Sequence, residues 1–430
     1  MTATTPRPER AAVAYRDPNV LRWCAGLFFS LLGDSIFFVA LAWTATQVAT
    51  PSVAGLVVAA GAVPRALLML FGGALADRAG PRRAALLSDV ARTVVMLAVA
   101  GLLVAEQPSA AVLIALAVVF GIVDAVFVPA VGAMPSALVE PAELARVTAM
   151  RQVVHRATAV AGAPAAGWLV ATQTLPVVYA VCAGLFAVSV AALTTTRTRP
   201  PSPAAVPAPP AGDGAAPAAP PPGRPGLLAE VREGLGYVRA HTLLLPLLVL
   251  TAVAELGFTG AVNVGLPLLA ADSGWGPQGV GWVLGGWGAA AAAASVVLTA
   301  AGTPRRAGLV GIACLPVSGV ALAAVALAPG LPAATAAAAL LGLCSGVVGP
   351  VFGGLTLAAA DPAQVGRVMS IAALAGLGGA PLAYAATGVL VDLLDPAAPF
   401  LLGGALLTVT GLAALTNRPV RTARPDGCTR

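Results

Sequence analysis

Four ionisable side chains, Asp34, Arg65, Asp124 and Glu255, each stand near the middle of a long apolar run. A charge at that depth is costly, so it borders water, a bound ion or an opposite charge rather than hydrocarbon. Carboxylates and a guanidinium in that setting suit two kinds of chemistry: gripping a charged group on a small solute, and taking up and releasing a proton. The structural alternative is a permanent ion pair in which Arg65 neutralises Asp34 or Asp124 and fixes helix register.

Enzyme chemistry finds no comparable support. All 24 basic residues are arginine, which removes the phosphate-binding lysine that a P-loop requires. His155 and His241 cannot form an H-E-x-x-H zinc site, and no G-x-S-x-G elbow occurs. Cys24, Cys182, Cys314, Cys344 and Cys428 include no C-x-x-C pair, and four of them fall in apolar runs, where cysteine packs as a small hydrophobe. The sequence carries no signature of an enzyme, a resident metal or cofactor, or a nucleic-acid partner.

The elements that must position the four charges are membrane spans. Of the 430 residues, 58% are hydrophobic and 10% charged, against roughly 25% charged in a soluble domain. Apolar runs long enough to cross a hydrocarbon core about 30 Å thick fall near 23–48, 52–75, 85–104, 110–138, 152–172 and 175–195, then 243–270, 278–301, 307–328, 332–359, 368–392 and 397–416. The first twenty residues are polar and lack the pattern of a cleaved secretory signal, so the first span is expected to serve as an uncleaved one. The proline-rich stretch between the sixth and seventh runs favours extended, solvated backbone and reads as a flexible central loop.

This divides the chain into a cytoplasmic segment 1–22, a six-helix bundle 23–195, a linker 196–242 with an amphipathic segment, a second six-helix bundle 243–416 and a tail 417–430. Arginine placement sets the orientation, because short arginine-rich loops stay in the cytoplasm. Arg7, Arg10, Arg16 and Arg22 precede span one; Arg78, Arg82 and Arg83 follow span two; Arg146 and Arg151 follow span four. Arg305 and Arg306 follow span eight and Arg367 follows span ten, while the alternate loops hold no arginine. Both termini are therefore expected in the cytoplasm, in a multi-pass protein of the inner, cytoplasmic membrane.

The halves also match each other at an offset of 221 residues. Glu140-Pro141-Ala142 meets Asp361-Pro362-Ala363, Arg146-Val147 meets Arg367-Val368, and Asp34 meets Glu255. A parallel repeat related by an axis along the membrane normal is a known transporter architecture. Asp34 and Glu255 are then expected to face each other across a central cavity.

The turn between spans two and three reads GALADRAGPRR, from Gly73 to Arg83. Gly73 permits close helix approach, Gly80 a tight turn, and Asp77 with Arg78, Arg82 and Arg83 a charge cluster at a helix end. The stretch resembles the signature loop of the major facilitator superfamily, G-x-L-x-D-R-x-G-R-R, with Pro81 in place of a basic residue. LGDS at 32–35, LLSDVAR at 86–92 and EGLGYVR at 233–239 narrow the resemblance towards bacterial exporters of the macrolide-efflux and enterobactin-exporter kind. GAPAAG at 162–167 partly meets a further exporter pattern.

The resemblance implies an all-α membrane protein: twelve transmembrane helices in two pseudo-symmetric six-helix bundles, working as a monomer in the lipid bilayer. It implies proton-coupled efflux of a small molecule, a drug-like compound or siderophore, by alternating access. Asp34, Glu255, Arg65 and Asp124 would bind substrate and protons; Gly73, Asp77, Arg78, Gly80, Arg82 and Arg83, with Asp89 and Arg92, would form the cytoplasmic gate. His155, beside Arg151 and Arg156, suits a headgroup contact, while Asn263, Trp282 and Trp287 could line the second-half cavity. An importer or uniporter, or a non-transporting receptor or assembly factor, would share the same fold.

Overall fold

A computed structural model describes residues 14–199, 227–361 and 364–424, with backbone alone for 14, 69–77, 227–232 and 377. Every regular element among the described residues is helical. Hydrocarbon leaves no other choice to an isolated span, since each backbone N–H and C=O must find its partner within the segment.

The first half comprises α1 (Pro18–Val48), α2 (Pro51–Ala79), α3 (Pro81–Ala105), α4 (Ala110–Leu138), α5 (Leu144–Thr172) and α6 (Leu175–Thr195). A short amphipathic α7 (Leu227–Ala240) leads into the second half. There α8 (Leu244–Gly260) runs through a π-helical stretch, Ala261–Gly265, into α9 (Leu266–Asp272). The rest are α10 (Gly276–Ala301), α11 (Ala307–Ala326), α12 (Leu331–Ala359), α13 (Val365–Leu377), α14 (Ala380–Leu393), α15 (Ala398–Ala414) and α16 (Arg418–Thr422).

Start signals are local. Proline opens α1, α2 and α3 at a position whose N–H has no helical partner in any case. Asp17 caps α1 by accepting the Asn19 N–H at 2.8 Å, and Gly80, at φ +84°, makes the turn from α2 into α3. One expected span is split: GLGGAP, from Gly376 to Pro381, separates α13 from α14, because successive glycines favour neither continuation nor the turn before a proline.

Ten of these helical stretches, with α8 to α9 and α13 to α14 each taken as one, are long and apolar enough to cross a membrane. The protein is a multi-pass membrane protein. Two further stretches lie among them: α5, whose first half carries Arg146, Arg151, His155 and Arg156, and the 17-residue α15.

The repeat is visible in the packing. Within the halves α2 lies along α4 as α10 lies along α12, and α3 along α6 as α11 along α15. Between them α5 meets α10, and α14 meets α2. Both crossings are glycine on glycine. A methyl group on Gly167 would stand 2.9 Å from the Gly281 Cα, and one on Gly388 3.1 Å from the Gly55 Cα. Dispersion between close backbones supplies the attraction that lipid-facing side chains cannot.

All four glycines lie in the parts of their helices nearest the loops without arginine. The halves are thus closed together at the arginine-poor end. Ser52 adds to the closure by donating its backbone N–H to Asp392 Oδ2 at 2.9 Å and its hydroxyl to the same oxygen. Leu268 is buried there with Val264 and Val391, against Val58 of the first half.

Gly388→Val should therefore force these ends apart, overpacking of this kind costing about 1–3 kcal/mol. A cysteine placed at Leu268 should then react several-fold faster with a maleimide than in the parent. Unchanged reactivity would show that the glycine crossing does not hold the closure.

Candidate functional site

α1, α3 and α4 each carry one carboxylate into the interior of the first half: Asp34, Asp89 and Asp124. Arg92, one turn beyond Asp89 on α3, is fully buried between them. Its Nη1 lies 3.4 Å from Asp34 Oδ1 and 3.4 Å from Asp89 Oδ1, and its Nη2 donates to Asp124 Oδ1. Arg65, on α2, brings Nε to 2.8 Å from Asp124 Oδ2. A planar guanidinium fork reaches several acceptors at once, which a lysine ammonium does not.

Aromatic rings close the remaining sides. The Arg92 guanidinium carbon lies 3.9 Å from the centre of Phe127, 5.1 Å from Phe120 and 5.5 Å from Phe186, within the range of attraction between a cation and a ring face. Asp89 is fully satisfied in addition by the hydroxyls of Ser30, at 2.9 Å, and Ser189, at 2.6 Å.

The cluster holds three carboxylates against two guanidiniums, so one negative charge is in excess. Such an excess in a poorly polar interior calls for a proton or a cation. Asp34 is where it would bind, because its Oδ1 is buried without a hydrogen bond, the 3.4 Å approach of Arg92 being poorly aligned. Its side chain is 14% exposed, unlike that of Asp89.

That exposure is to a cavity of about 550 Å³, lined by Asp34, Arg65, Asp124, Arg151, His155 and Arg156 among others. Asp34, Arg65 and Asp124 stand at the middles of α1, α2 and α4, and from there the wall continues through Phe127, Val128 and Val131 in the second half of α4 and Arg151, His155 and Arg156 in the first half of α5, towards the arginine-rich loops. The cavity therefore belongs to the arginine-rich side, opposite the closed end. His155, expected at the headgroups, lines this cavity instead.

Glu255 is placed differently. It accepts the Thr259 hydroxyl at 3.2 Å and lines a second-half cavity of about 240 Å³ with Phe258, Trp287 and Phe352. Asp34 lines the first-half cavity and Glu255 the second-half one, and among the described residues no hydrogen bond or ion pair joins them. The groups that do look across are Arg65 and Asp124, which share a cleft of about 70 Å³ with Asn263 and Tyr384 of the second half. Asn263 sits in the π-helical stretch, donating its amide to the Thr259 carbonyl at 2.9 Å. Trp287 lines the Glu255 cavity, whereas Trp282 is 59% exposed and does not line it.

The turn after α2 is in part accounted for. Gly73 and Asp77 lie in the last turns of α2, where side chains are outside the described residues. Arg78 and Arg83 are exposed. Arg82 donates Nε–H to the Leu193 carbonyl at 2.9 Å and Nη2–H to the Thr194 carbonyl at 2.7 Å, tying the start of α3 to the end of α6. Asp89 and Arg92, expected with this gate, belong instead to the buried cluster. Their places lie roughly 12 and 16 Å along α3 from Pro81, at 1.5 Å per residue, well below the surface.

Residues 23–260 of the sequence match the family model of the Major Facilitator Superfamily, more than half of the chain. The chain belongs to the Major Facilitator Superfamily. Its fold agrees with two solved members of similar architecture. A point mutant of the nucleoside transporter NupG superposes with a TM-score of 0.69 at 10% identity, covering 93% of this chain and 99% of that one. A D-xylose-proton symporter gives 0.67 at 12% identity, covering 96% and 99%. At such identities the likeness is one of fold. No curated protein matches the sequence significantly. As a superfamily member the chain is a membrane transporter and not an enzyme.

Sequence reasoning missed the centrality of Arg92. The signal was present in Asp89 and Arg92 at i and i+3 on one helix face, but their partners come from α1 and α4.

Proposed function

We propose that this protein exports a small molecule against inward-moving protons, by alternating access, as a monomer in the cytoplasmic membrane. The observation that carries the reading is the uncompensated carboxylate of the Arg92 cluster, with Asp34 open to a cavity. A carrier coupled to protons needs a group that exchanges a proton between water on one side and the protein interior. Asp34 has that access and no hydrogen bond that would be lost on protonation.

In this reading α5 and α15 are spans, giving twelve, and the moving bodies are 23–195 and 243–416. Residues 196–242 link them, and 1–22 and 417–430 lie with the linker in the cytoplasm, where arginine-rich loops are retained. The arrangement described, open at the arginine-rich end and sealed at Gly167–Gly281 and Gly55–Gly388, is then the inward-facing state. Solute enters from the cytoplasm; the seal parts as the gate residues around Gly73–Arg83 approach the other half. A proton arriving at Asp34 from outside resets the cycle.

A panel of drugs and siderophores tests this. Cells making the protein should accumulate at least one panel compound less than cells without it. In proteoliposomes with a trapped pH indicator, that compound and protons should move in opposite directions. Co-movement in one direction would establish uptake by symport, and movement indifferent to pH a uniporter; either overturns the reading.

A further inference from the structure

The Glu255 cavity has one polarity. Four hydroxyls line it, and each gives its hydrogen to a carbonyl of its own helix: Thr251 to Leu247 at 2.9 Å, Ser318 to Cys314 at 2.8 Å, Ser345 to Gly342 at 3.1 Å and Thr356 to Phe352 at 2.8 Å. Within a helix this is the usual use of a serine or threonine hydrogen, and it leaves oxygen lone pairs to face the cavity. The indole N–H of Trp287, the other donor on the wall, is taken by Ser345 Oγ at 3.1 Å. Glu255 contributes acceptors only, and among the described residues no arginine pairs with it. Phe258, Trp287 and Phe352 supply ring faces, and the remaining wall is aliphatic.

We infer that this cavity binds a hydrophobic ammonium cation: N–H donors on Glu255 and the hydroxyl oxygens, an aromatic or aliphatic body against the rings. An acceptor-only wall satisfies a donor-only ligand and leaves a carboxylate or a neutral acceptor unpaired, which is a strong basis for selection. Ring faces add attraction for the positive charge. The first-half cavity has the opposite character, with Arg65, Arg151 and Arg156 on its wall. Substrate and coupling proton are thereby segregated, the one in the second half and the other at Asp34. The inference rests on the transport reading above and names its substrate class.

Binding to the purified full chain is measured at neutral pH by quenching of tryptophan fluorescence with three probes of one shape: 1-naphthylmethylamine, 1-naphthylmethanol and 1-naphthylacetate. The amine should bind at least ~10-fold more tightly than the other two, the scale of a lost charge-assisted hydrogen bond. Glu255→Gln should weaken the amine by a similar factor and leave the alcohol unchanged, while Glu255→Asp should keep the preference for the amine. Thermal unfolding of both variants reports on folding, and Glu255→Asp serves if the Gln variant does not fold.

Equal binding of amine and carboxylate, or amine binding indifferent to Glu255→Gln, overturns the assignment. Proton-driven transport of other compounds without amine binding overturns it alone. Amine binding as expected with no transport in liposomes supports it and removes the transport reading instead.

Discussion

Arg92→Met should leave little folded protein in the membrane. The substitution removes the partner shared by Asp34, Asp89 and Asp124 and leaves three carboxylates facing the single charge of Arg65. Breaking a buried ion pair on one side costs about 3–5 kcal/mol, a large part of the stability of a typical domain. Arg92→Lys should be only partly stable, since one ammonium cannot span Nη1 and Nη2 contacts that reach different helices. The decisive control is the double variant Arg92→Met with Asp89→Asn. It restores the original net charge and keeps an amide for Ser30 and Ser189 to bond. Membrane yield and unfolding temperature should recover towards the parent. If Arg92→Met alone is as stable as the parent, the cluster is not the electrostatic centre described above.

Asp34→Asn should have the opposite effect on stability and should remove coupled transport from a folded protein. The change removes the excess negative charge without altering shape, so the unfolding temperature should be unchanged or raised. Export against a concentration gradient should fall to the level of membranes lacking the protein, measured in inverted vesicles energised with protons. Exchange of labelled for unlabelled substrate at equal pH should persist, because it requires solute binding and alternation but no net proton movement. Full uphill export by the Asn variant would remove the coupling role of Asp34. Loss of exchange as well would make Asp34 part of the solute site instead.

The two variants read opposite sides of one balance. Arg92 holds α1, α3 and α4 together through charge, and Asp34 is the member of that set with a route to water. In membrane interiors, where apolar packing gives little preference for protein over lipid, such polar contacts fix which helices are neighbours.

Much of this was legible in the chain. Composition and the length of the apolar runs required helices, because backbone polar groups in lipid have no other partner. The 221-residue offset indicated two related halves, and the packing of α2 on α4 and α10 on α12 bears the relation out. Asp34, Arg65 and Asp124 stood out because each is an isolated charge in an apolar run, and Arg65 does pair with Asp124. The turn at Gly80 followed from the conformational freedom of a glycine placed between two long apolar runs, and its φ is +84°.

Other features belonged to the tertiary structure alone. Distance along the chain says nothing of which helix faces lie opposite, so Arg92 read as a gate residue until α1 and α4 supplied its partners. Asp34 and Glu255 correspond in sequence, but which cavity each lines was set by the packing of its own half. The direction in which hydroxyls point, and hence the acceptor-lined cavity, is likewise a matter of three-dimensional packing. Hydropathy is a property of single residues summed along a segment and survives without coordinates. Pairing of charges is a property of separated residues brought within a few ångströms, and only the fold sets that distance.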